Sequence, residues 1–274
     1  MIRLANISLG LKALLISASV MAGPVVAQSS APLLLDLTGL GTHDETERRR
    51  AVTLTRGVRS GRDLKTHELR IARDRMVKDQ SVSADNLRAL ADAGDGIAAL
   101  RLIKRLDAEG RDAAPANLAH YYGIAASTGR VTGLFGLVRT LERVDPSSTS
   151  QARLKLLKSI VVAYARAGNP VASAAMMRFH LAERPFGPMP DEITRLATSA
   201  RGTGNAVIAL QLAGELIQTG WENPAALAQA EIYLTRALKS ESVRIKLIAG
   251  NFLPVLKVRI QTLSSNVQLA EADG

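Results

Sequence analysis

Cysteine is absent from the 274 residues. That excludes a disulfide scaffold, a thiolate zinc site, an iron–sulfur cluster and a cysteine nucleophile. Aromatic residues make up only 3% of the chain, which leaves little material for a sugar- or base-stacking platform. No acid occurs before Asp36. No segment after residue 27 approaches the roughly 18 unbroken apolar residues of a spanning helix. Strand-like alternation is also missing. What remains is 47% hydrophobic, with 35 Lys+Arg against 25 Asp+Glu and a formal charge of +10. Such a composition belongs to a globular, basic chain.

The amino terminus reads as an address. Arg3 and Lys12 supply positive charge, Ala13 to Ala22 is apolar, and Gly23-Pro24 breaks the run. Val25 and Ala27 are the small residues signal peptidase requires, so cleavage is expected before Gln28. An apolar core of about ten residues is too short for a membrane anchor. Residues 1–27 are therefore expected to be a signal peptide, and the mature chain a periplasmic protein with no transmembrane segment. The cysteine-free composition suits an oxidising compartment.

Loss of Arg3 and Lys12 leaves +8 on the mature chain. Nearly all of it lies between Glu47 and Lys78, where eleven basic residues face four acids. Arg48, Arg49, Arg50, Arg70 and Arg73 are the candidates for holding an anionic polysaccharide or lipid headgroups. Export and the lack of aromatics in this window argue against nucleic acid. The plain alternative is a solvated face whose arginine stems cover apolar surface.

From there on, helix-period segments follow one another. One begins after Asp95, and others cover Val131–Leu141, Ala206–Ile217 and Ala226–Leu238. Gly, Pro, Asn and Asp breaks separate them. The breaks recur: a small-residue helix end followed by Gly appears at Gly94, Gly129, Gly168 and Gly202–Gly204, and in Ala237-Leu238-Lys239-Ser240-Glu241 the glycine is lost. The spacings of 35, 39, 36 and 37 residues match one helix pair with its two turns. Glycine suits such a helix end because the chain turns there through positive φ. The expected fold is all-α, an α-solenoid of four to five stacked antiparallel helix pairs with a concave surface. Residues 28–83 form a basic, partly flexible arm with one amphipathic helix, 84–265 the repeat domain, and 266–274 a disordered tail. Ser83 is the expected N-cap of the first repeat helix.

Leu118, Tyr121-Tyr122, Ala125-Ala126 and Gly129 fall in an order that resembles the Sel1-like repeats of the tetratricopeptide (TPR-like) superfamily. Ala230, Tyr233-Leu234 and Ala237-Leu238 follow it more loosely, and the resemblance spans roughly 84 to 250. It implies a protein-binding groove lined by first helices. Arg101, Lys104 and Arg105, then Gln211 and Glu215, are the candidates on those helices. Trp221, the only tryptophan, is either a partner anchor or a cap over the last repeat. Exported relatives of this type imply roles in envelope regulation or in exopolysaccharide production and secretion.

Chemistry is harder to find. No two of His43, His67, His120 and His180 stand four residues apart, and no phosphate loop or nucleophile elbow is present. His43 with Asp44, Glu45 and Glu47 is at most a weak ion site. His120 beside the tyrosines suggests packing, and His180 can meet helix-end carbonyls. Met176, Met177 and Phe179 form a soft cluster suited to core or partner. The sequence thus points to no enzyme, no metal and no cofactor. It points to an envelope-protein scaffold, with an anionic-surface binder as the alternative. A glycan-active enzyme has no carboxylate pair behind it.

Overall fold

The computed structural model describes residues 45–108, 114–199 and 202–272, with side chains up to 265. The expected signal peptide, the arm before Glu45, and His43 and Asp44 lie outside the described residues. Twelve α-helices and no strand occur among those described. They are α1 (Glu45–Arg48), α2 (His67–Val77), α3 (Ala84–Asp92), α4 (Gly96–Ala108), α5 (Pro115–Ser127) and α6 (Val131–Leu141). The second half holds α7 (Gln151–Arg166), α8 (Pro170–Leu181), α9 (Pro190–Thr198), α10 (Gly202–Thr219), α11 (Pro224–Ala237) and α12 (Val243–Ala272).

Local chemistry sets these boundaries. Ser83 Oγ accepts the Asn86 N–H at 3.2 Å and caps α3. Asn223 Oδ1 does the same for Ala225 and Ala226 at the start of α11. Prolines open α5, α8, α9 and α11, where a missing N–H costs nothing. The helix ends at Gly94, Gly129 and Gly168 share one geometry. Each glycine has positive φ and donates to the third carbonyl before it. The next residue, Asp95, Arg130 or Asn169, donates to the carbonyl five back. This double bond closes the helix and reverses the chain.

Each such turn joins neighbours that pack together: α3 on α4, α5 on α6, and α7 on α8. The pairs α9–α10 and α11–α12 follow the same order. Alternate helices also touch, α5–α7–α9–α11 on one side and α6–α8–α10–α12 on the other. Between them runs an apolar seam. Leu134, Leu137, Tyr164, Met176, Leu210 and Leu234 belong to one large core. A smaller core gathers Leu64, Met76, Leu90 and Leu102 around α2, α3 and α4. Met176, Met177 and Phe179 are buried in the large core. Buried Tyr164 donates its hydroxyl to the Ala126 carbonyl at 2.9 Å, and burial raises its pKa.

The seam is tight in places. A Cβ on Gly133 of α6 would stand 2.6 Å from the Ala126 nitrogen and 2.8 Å from the Ala125 Cβ on α5. Backbone cannot give way as a side chain can. Gly133→Ala is therefore expected to cost about 1–3 kcal/mol in urea unfolding, despite alanine's better helix propensity.

The last helix, α12, continues past Leu263 to Ala272. Asp273 and Gly274 lie outside the described residues.

Candidate functional site

The segment before α2 determines the site. Residues Glu45 to Asp63 run along the row of hairpin turns as a strap, in the reverse of chain order. Glu47, only 4% exposed, accepts the Thr203 N–H at the start of α10 with both carboxylate oxygens, at 3.2 and 3.1 Å. Arg50 donates to the Ala167 carbonyl at 2.6 Å. Asn169 Nδ2 donates to the Arg48 carbonyl at 2.9 Å. Leu54 and Thr55 donate their N–H groups to the Ser127 carbonyl at 2.8 and 3.0 Å. Val58 donates to the Gly94 carbonyl at 3.1 Å. The strap thus meets the turns α9–α10, α7–α8, α5–α6 and α3–α4 one after another.

Two turn residues serve both partners. Asp95 Oδ1 caps α4 through the N–H groups of Ile97 and Ala98, at 2.9 and 3.1 Å. Its Oδ2 accepts Arg73 Nε of α2 at 2.9 Å, and this pair is buried, 1% and 13% exposed. Asn169 Oδ1 caps α8 through Val171 and Ala172, at 3.0 and 3.2 Å, while its amide nitrogen holds the strap.

Strap and odd-numbered helices enclose a cleft of about 640 Å³. Leu54 and Val58 form the strap wall, and Ile124, Leu156 and Ile160 the helix floor. Asp63, Asp92 and His120 stand in the lining. Asp63 accepts the N–H groups of Arg59 and Ser60, at 2.9 and 2.8 Å. These bonds, the Ser60 one foremost, hold its carboxyl below the usual range. Burial, helped by Arg153, pushes the His120 imidazole down against the opposing pull of Asp92. His120 Nε2 stands 3.8 Å from an Asp92 carboxylate oxygen.

Ser159 also borders a second groove of about 500 Å³ between α7 and α9. Lys155, Lys158 and Arg166 line it, with Glu192 receiving Lys158 at 3.1 Å. The two grooves share Ser159 and together form a track over α7, with Asp63 and Asp92 in the first and Lys155, Lys158 and Arg166 beside Glu192 in the second. Among the described residues no group of three His, Asp or Glu side chains could hold a metal ion.

Compared with known protein families, curated proteins and solved structures, this chain matches none.

The residues expected from the sequence have these places. Arg101, Lys104 and Arg105 lie on α4 and Gln211 and Glu215 on α10, and none of them lines the α7 track. Arg101 pairs with Asp79 at 2.6 Å, and Arg105 donates to the Val82 carbonyl at 2.6 Å. Trp221 is half-buried on the large core, with the Arg259 guanidinium 5.5 Å from its ring centre. Arg48 reaches over Phe135 at 5.9 Å, and Arg49 pairs with Glu45 while staying 76% exposed. Arg70 donates to the Leu64 carbonyl at 3.1 Å, and Arg73 is held by Asp95. His180 Nδ1 accepts the Met189 N–H at 3.0 Å, so it braces a loop rather than meeting helix-end carbonyls. The strap and the track were missed. The available signal was an Asx residue directly after a turn glycine, at Gly94-Asp95 and Gly168-Asn169.

Proposed function

We propose that this chain is an exported, periplasmic interaction scaffold, an α-solenoid of the Sel1-like kind that holds an extended segment of an envelope protein. The track over α7 carries this reading: an apolar floor suits alternate side chains, and carboxylates in one groove with cations in the other favour one direction of the segment. Envelope regulation or exopolysaccharide production is the setting that the resemblance and the export signal favour. Contacts between alternate helices support the solenoid reading.

Catalysis on glycans is the weaker reading, although Asp63 and Asp92 share the cleft. Such an enzyme keeps one carboxyl protonated near neutral pH. Asp63 is held low, and the Asp92 side chain is 54% exposed.

Leu156 is 54% exposed in the cleft, and Leu181 is 66% exposed on α8 away from it. Both can become Glu without burying a charge. Pull-down from envelope extract with mature chain should recover a specific protein. Leu156→Glu should weaken that capture about tenfold or more, and Leu181→Glu should leave it intact. Equal capture by both variants, or no specific protein at all, overturns the reading.

A further inference from the structure

The inner side of the strap is committed to the fold. Leu64 is buried, Val52 packs on the large core, and Leu54 and Val58 wall the cleft. The backbone is fixed as well. Val58 rests on the Gly94 carbonyl, and Arg73 Nη2 donates to the Arg59 carbonyl at 2.8 Å. A Cβ on Gly57 would stand 2.7 Å from the Gly94 oxygen, so the strap lies directly on the α3–α4 turn. Ser60 and Asp63 close a capping box around the short turn that follows.

The outer side is left with cations. Arg56, Arg59, Arg62 and Lys65 recur every third residue, and all four are exposed. None of them lines the cleft, and none makes an ion pair among the described residues. Asp63 is the one carboxylate in this stretch, and a single oxygen of it accepts the Arg59 and Ser60 N–H groups. Arg49, paired with Glu45, and Arg50, which donates to Ala167, continue the row to the α7–α8 turn. From Arg49 to Lys65 six cations face one acid. The row crosses three turns of stacked helices, a distance of about 20 Å. Because the strap is already fastened, a ligand that neutralises these charges need not order it first.

What the row lacks identifies the ligand. Residues 45–66 hold no aromatic side chain on which a base could stack. Their larger apolar side chains face the core or the cleft, which leaves no anchor for a bilayer or for the side chains of a peptide. Spaced positive charge is what remains for recognition. We propose that the outer edge of the strap binds a linear acidic polysaccharide laid lengthwise, its carboxylate or sulfate groups pairing with the cations in turn. This edge is separate from the α7 track, and neither result below depends on that track.

Labelled oligogalacturonate and heparin oligosaccharides are the probes, one carboxylated and one sulfated, with neutral dextran as control, each titrated with the purified chain by fluorescence anisotropy. An acidic probe should bind and dextran should not. Affinity should grow with oligomer length until the row is spanned, and fall steeply as salt rises from about 0.05 to 0.5 M. Arg56→Gln with Arg59→Gln and Arg62→Gln should weaken binding about tenfold or more. Arg139→Gln with Arg143→Gln and Lys246→Gln removes the same charge from exposed positions away from the strap, and should stay within about twofold of the parent. All six positions are exposed, so circular dichroism should be unchanged. Absence of binding to both acidic probes, or equal loss in the two triple variants, overturns the proposal. So does tighter binding, at equal charge concentration, of single-stranded DNA, polyglutamate or vesicles of anionic phospholipid.

Discussion

Asp95→Ala should destabilise the protein more than any other single change at the turns, by about 3–5 kcal/mol. The carboxylate does two jobs in a site that is 1% exposed. It caps α4, a contribution of about 1 kcal/mol on its own. It also neutralises Arg73, which the substitution would leave nearly buried with no partner on that nitrogen. The double change Asp95→Asn with Arg73→Met keeps an acceptor for the cap and removes both charges, so it should recover most of the loss. Urea unfolding of the three proteins measures this. A single-variant loss below about 1 kcal/mol would show that the ion pair contributes nothing beyond the cap.

The second large effect is expected at Asn169, which is fully buried. Asn169→Ala removes the α8 cap and leaves the strap carbonyls without their donor. The sum is about 2–4 kcal/mol, from the lost cap and the unpaired carbonyls. Asn169→Asp separates the two parts. Its carboxylate can still cap α8, but it would face the carbonyls of Glu47, Arg48 and Arg50, now 3.4, 2.9 and 3.5 Å from the amide nitrogen. Acceptor against acceptor should lift the strap there while α8 stays folded. Amide hydrogen exchange should then quicken at Thr203, whose N–H rests on Glu47, and at Leu54 and Thr55. Exchange in α8 should stay slow. If Thr203 stays as protected as before, the strap does not depend on Asn169.

The helices were legible because their punctuation is local. A turn glycine, a serine or asparagine cap and an opening proline each act within a few residues, as at Gly129, Ser83 and Pro224. The seam was legible for the same reason, since Leu134, Leu137 and Val138 repeat at the helical period. Strap contacts follow no period. Leu54 and Thr55 are held through their backbone, so their side chains say nothing about a Ser127 more than 70 positions away. Glu47 reaches Thr203 across 156 positions. Arg73 is one of eleven cations in its window, and no spacing rule singles it out as the partner of Asp95. The α7 track was hidden because one wall is this strap. The charged residues of α4 and α10 drew attention because charge is visible in a sequence, whereas a cleft formed by Leu54, Ile124 and Leu156 is not.

The reversed course of the strap also orders events during synthesis. Residues 45–63 leave the ribosome before any turn they grip, and the anchor of Glu47 is made last, at Thr203. Glu47 must wait, unfastened, until 156 further residues have followed it. Bonds of such long loop closure form late and slow the final step. Once formed, they link hairpins that would otherwise unravel one by one from either end, so the stack should melt in a single step.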